Sequence, residues 1–225
     1  MNSPARQREN TMSIHSSREF VALVPIGHND AVARSGMPRA ISQTARYAKD
    51  QHIFDQGERA GKIFRVQSGS VRLYHLLADG RRQISAFCLP GEVFGFAQQG
   101  THELYAEAIE DTALEAQSLQ ETLTEENLHA VLANFFSAQT HLLVLGRQLA
   151  CERLASFLLD MNRRLGAGNR VKLAMSRNDI ADYLGLTVET VSRGLSRLQK
   201  DGLIRLHDAR SIEMMKPHAL VGMVE

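Results

Sequence analysis

Along the stretch Val188 to Lys200, side chains able to bond nucleic-acid bases fall on one side of a helical pattern: Glu189, Thr190, Ser192, Arg193, Ser196 and Arg197. Val188, Val191, Leu195 and Leu198 form the opposite, apolar stripe. In a DNA major groove a guanidinium bonds bidentately to guanine O6 and N7, a carboxylate accepts from cytosine N4, and a hydroxyl suits several base edges. Glu189, Ser192 and Arg193 are therefore the candidate base-contacting residues. Glu189 and Arg193 are four apart and hence helical neighbours, a spacing that an ordinary solvated ion pair also satisfies. Ser176, Arg177, Thr187, Val188, Thr190, Ser196 and Arg197 are candidates for phosphate contact or for holding the motif together.

The surrounding signals position this face. Ser176 can cap a helix running to Leu184, Gly185 suits a turn, Thr187 caps the next helix, and Gly202 stops it. Ile180, Ala181 and Leu184 supply the first helix's apolar stripe, and small Ala181 lets the second helix cross closely. Leu203 to Leu206 and Ser211 to Met214 read as two strands around His207-Asp208-Ala209-Arg210. Helix, turn, helix and hairpin together predict a winged helix-turn-helix.

Upstream, Leu128, Phe135, Leu142 and Leu149 recur every seven residues, with Val131, Ala138 and Leu145 between them. This a/d seam suits either the chain's own β domain or a second copy of the helix, and a parallel dimer is the favoured reading. The region from about Thr124 to Leu165 lacks proline, and its interior glycine is Gly146, so one long helix or one with a late break is expected. From Ile53, short apolar runs broken by glycine turns predict an antiparallel β-roll or jelly roll closing near Gln117. Residues 1–38, with an apolar patch only at Phe20 to Ile26, read as a flexible arm. The expected architecture is α+β: arm 1–38, β-roll 39–122, dimerisation helix 123–150 and winged helix-turn-helix 151–225.

Lys and Arg number 26 against 25 Asp and Glu, so total charge names no partner, but its distribution does. Arg147, Arg153, Arg163, Arg164, Arg170 and Lys172 cluster around the expected hinge, and Arg177, Arg193, Arg197 and Lys200 lie on or near the reading helices. Some of these would give phosphate contacts. No run approaches the ~18 consecutive apolar residues of a membrane span, and no signal peptide is evident, so a cytoplasmic, membrane-free protein is expected. Cys88, in an apolar run, reads as a core residue, while Cys151, beside Arg147, Glu152 and Arg153, is a possible redox site. His52, His75 and His102 are scattered, so metal is not expected, and a cupin-type metal enzyme lacks its clustered histidines. No catalytic triad or phosphate loop is present, and no enzyme is expected.

The stretch Ser176 to Arg193 resembles the helix-turn-helix of the CRP/FNR regulators, and its Glu189-x-x-Ser192-Arg193 resembles the FNR and FixK branch. Phe54 to Glu58, Ile63 to Tyr74 and Pro90 to Gly95 are similar to that family's cyclic-nucleotide-binding-like β-roll. The resemblance spans roughly residues 45 to 215. It implies a homodimeric regulator, mainly an activator contacting RNA polymerase, that binds TTGAT-N4-ATCAA palindromes in double-stranded DNA under oxygen limitation or in nitrogen-fixation control. Cyclic-nucleotide members carry an acidic residue after the Gly95 turn and an Arg-Ser pair before the next strand. Here Phe96-Ala97-Gln98-Gln99 and Leu104-Tyr105-Ala106 stand instead, so no cyclic nucleotide is expected. The arm lacks the cysteines of iron–sulfur members, and Glu115 stands about where the further ligand would fall. The resemblance thus implies a FixK-like protein without a cofactor, the alternative being a haem or small-molecule sensor of the same architecture.

Overall fold

A computed structural model of the chain describes residues 43–118, 124–166 and 168–225. The expected arm at 1–38 and the boundary at 122–123 lie outside the described residues. The first domain contains β1 (Gln43–Tyr47), β2 (His52–Phe54), β3 (Lys62–Ser68), β4 (Val71–Leu76), β5 (Arg82–Cys88), β6 (Val93–Phe94), β7 (Tyr105–Ala108) and β8 (Thr112–Ser118). Two antiparallel four-stranded sheets, ordered β1-β8-β3-β6 and β2-β7-β4-β5, form the roll. The roll thus starts about ten residues before the apolar texture at Ile53, because β1 is largely polar and is held by its pairing with β8.

Period-two alternation decides what each strand faces. Val71 of β4 points into the roll with Phe54, Phe64, Val66, Cys88, Phe94 and Leu114. Phe64 lies 5.5 Å from Phe94, and Phe54 stacks on His102 at 3.6 Å between ring centroids. Arg72 and Tyr74, on the other face of β4, are buried too. That outer face is covered by the helical part of the chain, so a second core joins Tyr74, Ile84 and Phe87 to Phe157, Leu158, Tyr183 and Leu184. The polar half of the alternation marks an interdomain face and not a solvated one.

Of the two expected forms, one long helix or one with a late break, the structure has the break, giving two helices. Thr124 caps α1 (Glu125–Leu145) by accepting from the Asn127 N–H, and the chain breaks after Gly146 before α2 (Ala150–Leu165). Leu149 is the extended N-cap residue of α2, so it does not continue the seam as a helical position. Segment Asn127–Leu145 has a mean hydropathy of 1.3 and is, by length and composition, able to cross a membrane. Two of its polar side chains reach other elements of the chain: Asn134 Nδ2 donates to the Val93 carbonyl at 2.9 Å, and His141 Nε2 to that of Tyr183 at 2.8 Å.

The remaining elements are β9 (Arg170–Lys172), α3 (Arg177–Leu184), α4 (Val188–Lys200), β10 (Ile204–Leu206), β11 (Ser211–Met214) and α5 (Pro217–Gly222). The expected wing hairpin is present and gains β9 as a third strand, in the order β10-β11-β9. β9 escaped the sequence reading because one apolar residue, Val171, lies between two charged ones. α5 places Leu220 in the helical core, and the Val224 carbonyl just beyond it accepts from Arg147 Nη2 at 2.5 Å.

Candidate nucleic-acid interface

The candidate reading motif is built on two N-caps. In α3 the Ser176 hydroxyl oxygen accepts from the Asp179 N–H at 3.1 Å, while Asp179 Oδ2 accepts from the Ser176 N–H at 2.9 Å, closing a capping box. Gly185 takes φ 62°, a left-handed conformation that favours glycine, and turns the chain into α4. Thr187 Oγ1 accepts from the Thr190 N–H at 3.2 Å and caps α4.

α4 presents two different faces. Val191, Gly194, Leu195 and Leu198 are buried, whereas Glu189, Ser192, Arg193, Ser196 and Arg197 are exposed. The close approach lies at Gly194, where a Cβ would overlap Leu154 Cδ1 of α2. Ala181 is buried as expected, but Gly194 is the residue that admits a neighbouring helix so near, and its single-hydrogen side chain in a polar helix carried no clear signal in the sequence.

The exposed face has internal order. Arg193 Nη2 donates to Thr190 Oγ1 at 3.4 Å, and the two threonine hydroxyls of Thr187 and Thr190 lie 3.0 Å apart. The Glu189 carboxyl is held below its usual range by its own backbone N–H, then by the Thr187 hydroxyl, with the Arg193 charge adding to both. It is thus ionised at neutral pH and ready to accept from a base amino group. Arg197 and Asp201 form an exposed ion pair at 3.9 Å, too long and solvated to hold the arginine in place.

The other candidates divide. Val188 is half-buried at the rim of the helical core, and the Ser176 hydroxyl is occupied by the capping box. Arg177 is half-buried, its Nη1 has no hydrogen-bond partner among the described residues, and burial lowers its pKa.

Residues 152–223 match the family model described as a Crp-like helix-turn-helix domain, and residues 44–121 that of a cyclic nucleotide-binding domain. The chain is 46% identical over 200 residues to the nitrogen fixation regulation protein FixK of Rhizobium meliloti (strain 1021), covering 88% of this chain and 92% of that protein. It is 41% identical over 195 residues to the FixK protein of Azorhizobium caulinodans, covering 80% and 79%. The solved structure of FixK2 from Bradyrhizobium japonicum superposes with a TM-score of 0.79 at 39% identity, covering 83% of this chain and 98% of that one. The chain belongs to the CRP/FNR family of transcription regulators. FixK proteins are among its relatives, and it groups with transcription regulators, not enzymes.

For a CRP/FNR regulator, the cations near the hinge matter, and here most are already engaged. Arg153 Nε donates to the Arg147 carbonyl at 2.9 Å and its Nη1 to that of Leu184 at 3.0 Å, tying the break after α1 to the end of α3. Arg164 holds Glu92 at 2.7 Å and Asp160 at 3.1 Å. Arg147 reaches Val224, and Arg170 donates to Ser211 Oγ at 3.1 Å. Arg147, Arg153 and Arg164 thus fasten elements together. Arg163, paired with Asp160 at its exposed surface, and exposed Lys172 stay accessible.

The candidate seam is uneven. Leu128, Val131, Phe135, Ala138 and Leu142 are exposed on α1, and a neighbouring row of Leu132, Phe136 and Leu143 extends it. Leu145 is half-buried near the Gly185 turn. Cys151 is half-buried, with its Sγ 4.0 Å from the Cβ position of Gly194, so it backs onto α4. Burial pushes the Cys88 thiol well above its usual range, leaving an inert core residue.

The roll's interior bears on ligand choice. In the segment Phe96 to Ala106 the one basic side chain is His102, which is buried, stacked on Phe54 and lowered in pKa by desolvation. It is therefore neutral at neutral pH and a poor partner for a phosphate. Glu115 accepts from Gln67 Nε2 on the roll.

Proposed function

We propose that this chain acts as a homodimeric transcription regulator, mainly an activator contacting RNA polymerase, that reads TTGAT-N4-ATCAA-type palindromes without a bound cofactor. The observation that carries this reading is the exposed face of α4, where Glu189, Ser192 and Arg193 stand together and the Thr187 and Thr190 hydroxyls restrain the two charged side chains. Base contacts fall to those three. Arg177, at the start of α3, supplies phosphate contact, with Thr187, Thr190, Ser196 and Arg197 flanking the groove. The exposed apolar row on α1 pairs with that of a second copy, and two reading helices set by a two-fold axis then meet half-sites ~10 base pairs apart.

The FixK relatives named as nitrogen fixation regulation proteins support a role in nitrogen-fixation or low-oxygen gene control, in the cytoplasm and away from membranes. The segment Phe96 to Ala106, which offers a phosphate no arginine or lysine and carries the acidic Glu103, and the aromatic packing inside the roll support activity without a cyclic nucleotide. Cys151, behind α4, is the place where oxidation would disturb the reading helix. Fluorescence anisotropy of the purified protein, in air and without added ligand, on a TTGAT palindrome and on a scrambled duplex tests the proposal. Tight and selective binding is expected, and equal binding to both duplexes would reject it.

A further inference from the structure

The β-roll and the reading motif are joined by ion pairs between residues about a hundred positions apart. Arg72, on the outer face of β4, donates through Nη2 to Glu107 at 2.5 Å and to Asp50 at 3.1 Å, and through Nη1 to Asp179 at 3.3 Å. Arg82 on β5 donates through Nη2 to the same Asp179 oxygen at 3.2 Å and to Asp182 at 3.0 Å. Gln83 Nε2 adds a bond to the Asp182 carbonyl at 2.8 Å. The side chains of Asp179 and Arg72 are only 4% and 9% exposed. Burial would lower the pKa of Arg72, but Glu107, Asp179 and Asp50 outweigh it and leave it raised, so the guanidinium is a permanent cation.

Asp179 therefore has two tasks. Its Oδ2 closes the capping box that starts α3, and its Oδ1 anchors α3 to the roll. α3 packs on α4 across the Gly185 turn, so a fixed α3 fixes the direction of the reading face. α1 is attached to the same roll through Asn134 and to α3 through His141. The direction of α4 relative to α1 is thereby set with no ligand in the path. Glu189, Ser192 and Arg193 remain exposed while the ion pairs are closed, so this arrangement does not cover the reading face.

We infer that Arg72 and Arg82 are positioning residues for DNA reading: by holding Asp179 and Asp182 they set the spacing between the two reading helices of the dimer, the task that an effector performs in a ligand-gated sensor. This rests on the palindrome reading proposed above. The interaction is a coupling between domains, and its loss shows as relaxed geometry and not as lost base chemistry.

The test uses the full chain with Arg82→Met, Arg82→Lys and Asp182→Asn, changes at half-exposed positions that leave the buried Arg72–Glu107 pair intact. Two quantities are read: the ratio of affinities for palindromes with the N4 spacer and with one extra base pair, and amide hydrogen exchange across α3. Arg82→Met is expected to lower the spacer ratio about tenfold, with binding to random duplex unchanged, and to speed exchange in α3. Arg82→Lys should restore most of both effects, and Asp182→Asn should act in the direction of Arg82→Met. An unchanged ratio, or tighter specific binding by Arg82→Met, overturns the inference, the latter because the ion pairs would then restrain reading. If the unaltered protein shows no selectivity for the palindrome, the proposed function falls by itself. Exchange in α3 then decides this inference, and unchanged exchange overturns it.

Discussion

The imidazole of His141 on α1 lies flat against the ring of Tyr183 on α3, with centroids 3.8 Å apart and planes 3° from parallel. Its Nε2–H donates to the Tyr183 carbonyl at 2.8 Å, so one residue links the candidate dimer helix to the reading motif both by stacking and by a hydrogen bond. Burial is the largest influence on this imidazole and lowers its pKa, although the carbonyls of Tyr183 and Ser85 and the charge of Asp160 pull the other way.

A pH dependence follows from that direction. In the unfolded chain His141 takes a proton near pH ~6.5, whereas in the folded chain it does so only at lower pH. Between the two values the unfolded state binds more protons, so this contribution to stability is complete above ~6.5 and declines as pH falls through the window. Thermal unfolding from pH 7.5 down to 5 should show a loss of stability that His141→Gln flattens. Parallel pH profiles for the two proteins would assign the dependence to other groups.

Arg193→Ala should cost about 1 to 3 kcal/mol of specific binding and relax preference at one guanine while leaving random DNA unaffected. Arg177→Ala should instead weaken specific and random duplexes alike and reduce the salt slope by about 1, since its expected partner is a phosphate. Anisotropy titrations at several salt concentrations on both duplexes separate these two patterns. Equal losses on both duplexes for Arg193→Ala would reject its role in base reading.

Gly194→Ala tests the packing behind that face. Alanine favours a helix over glycine by about 1 kcal/mol, but here its methyl would overlap Leu154 Cδ1, the end of a fully buried side chain that must shift within a packed core. Overpacking should dominate, with a net loss of about 1 to 2 kcal/mol. Leu154→Val shortens the opposing side chain and should make the double variant less destabilised than the sum of the single changes. Denaturant melts of the four proteins give the coupling directly.

What the sequence made legible was what local rules govern. The Ser176 and Thr187 caps, the Gly185 turn and the apolar stripes of α3 and α4 each follow from residues within one turn of each other, and the structure places them where the spacing did. Arg72 and Asp179 are different. Each is an ordinary strand or capping residue by itself, and their meeting depends on the helical domain folding back over β4 and β5. The hinge arginines show the same limit, since clustering of charge along the chain does not reveal that Arg153 will turn to backbone carbonyls of Arg147 and Leu184. β9 was hidden because its three residues have no pattern until β11 supplies a partner.

The α1 seam gives a prediction in which folding and assembly separate. Leu142 is 68% exposed in the protomer, so replacing it with lysine removes little buried area from the chain's own core. In a dimer with paired α1 helices the same lysine would place two like charges within an apolar contact, and their desolvation has no compensating partner. Leu142→Lys should therefore leave the circular dichroism spectrum unchanged while shifting the sedimentation coefficient to that of a monomer and reducing binding to the palindrome. Leu149→Lys is the control, because Leu149 is also exposed but stands outside the helix, at the cap of α2. It should dissociate the dimer less than Leu142→Lys does. A Leu142→Lys protein that still sediments as a dimer would move the interface away from α1 and with it the two-fold arrangement of the reading helices.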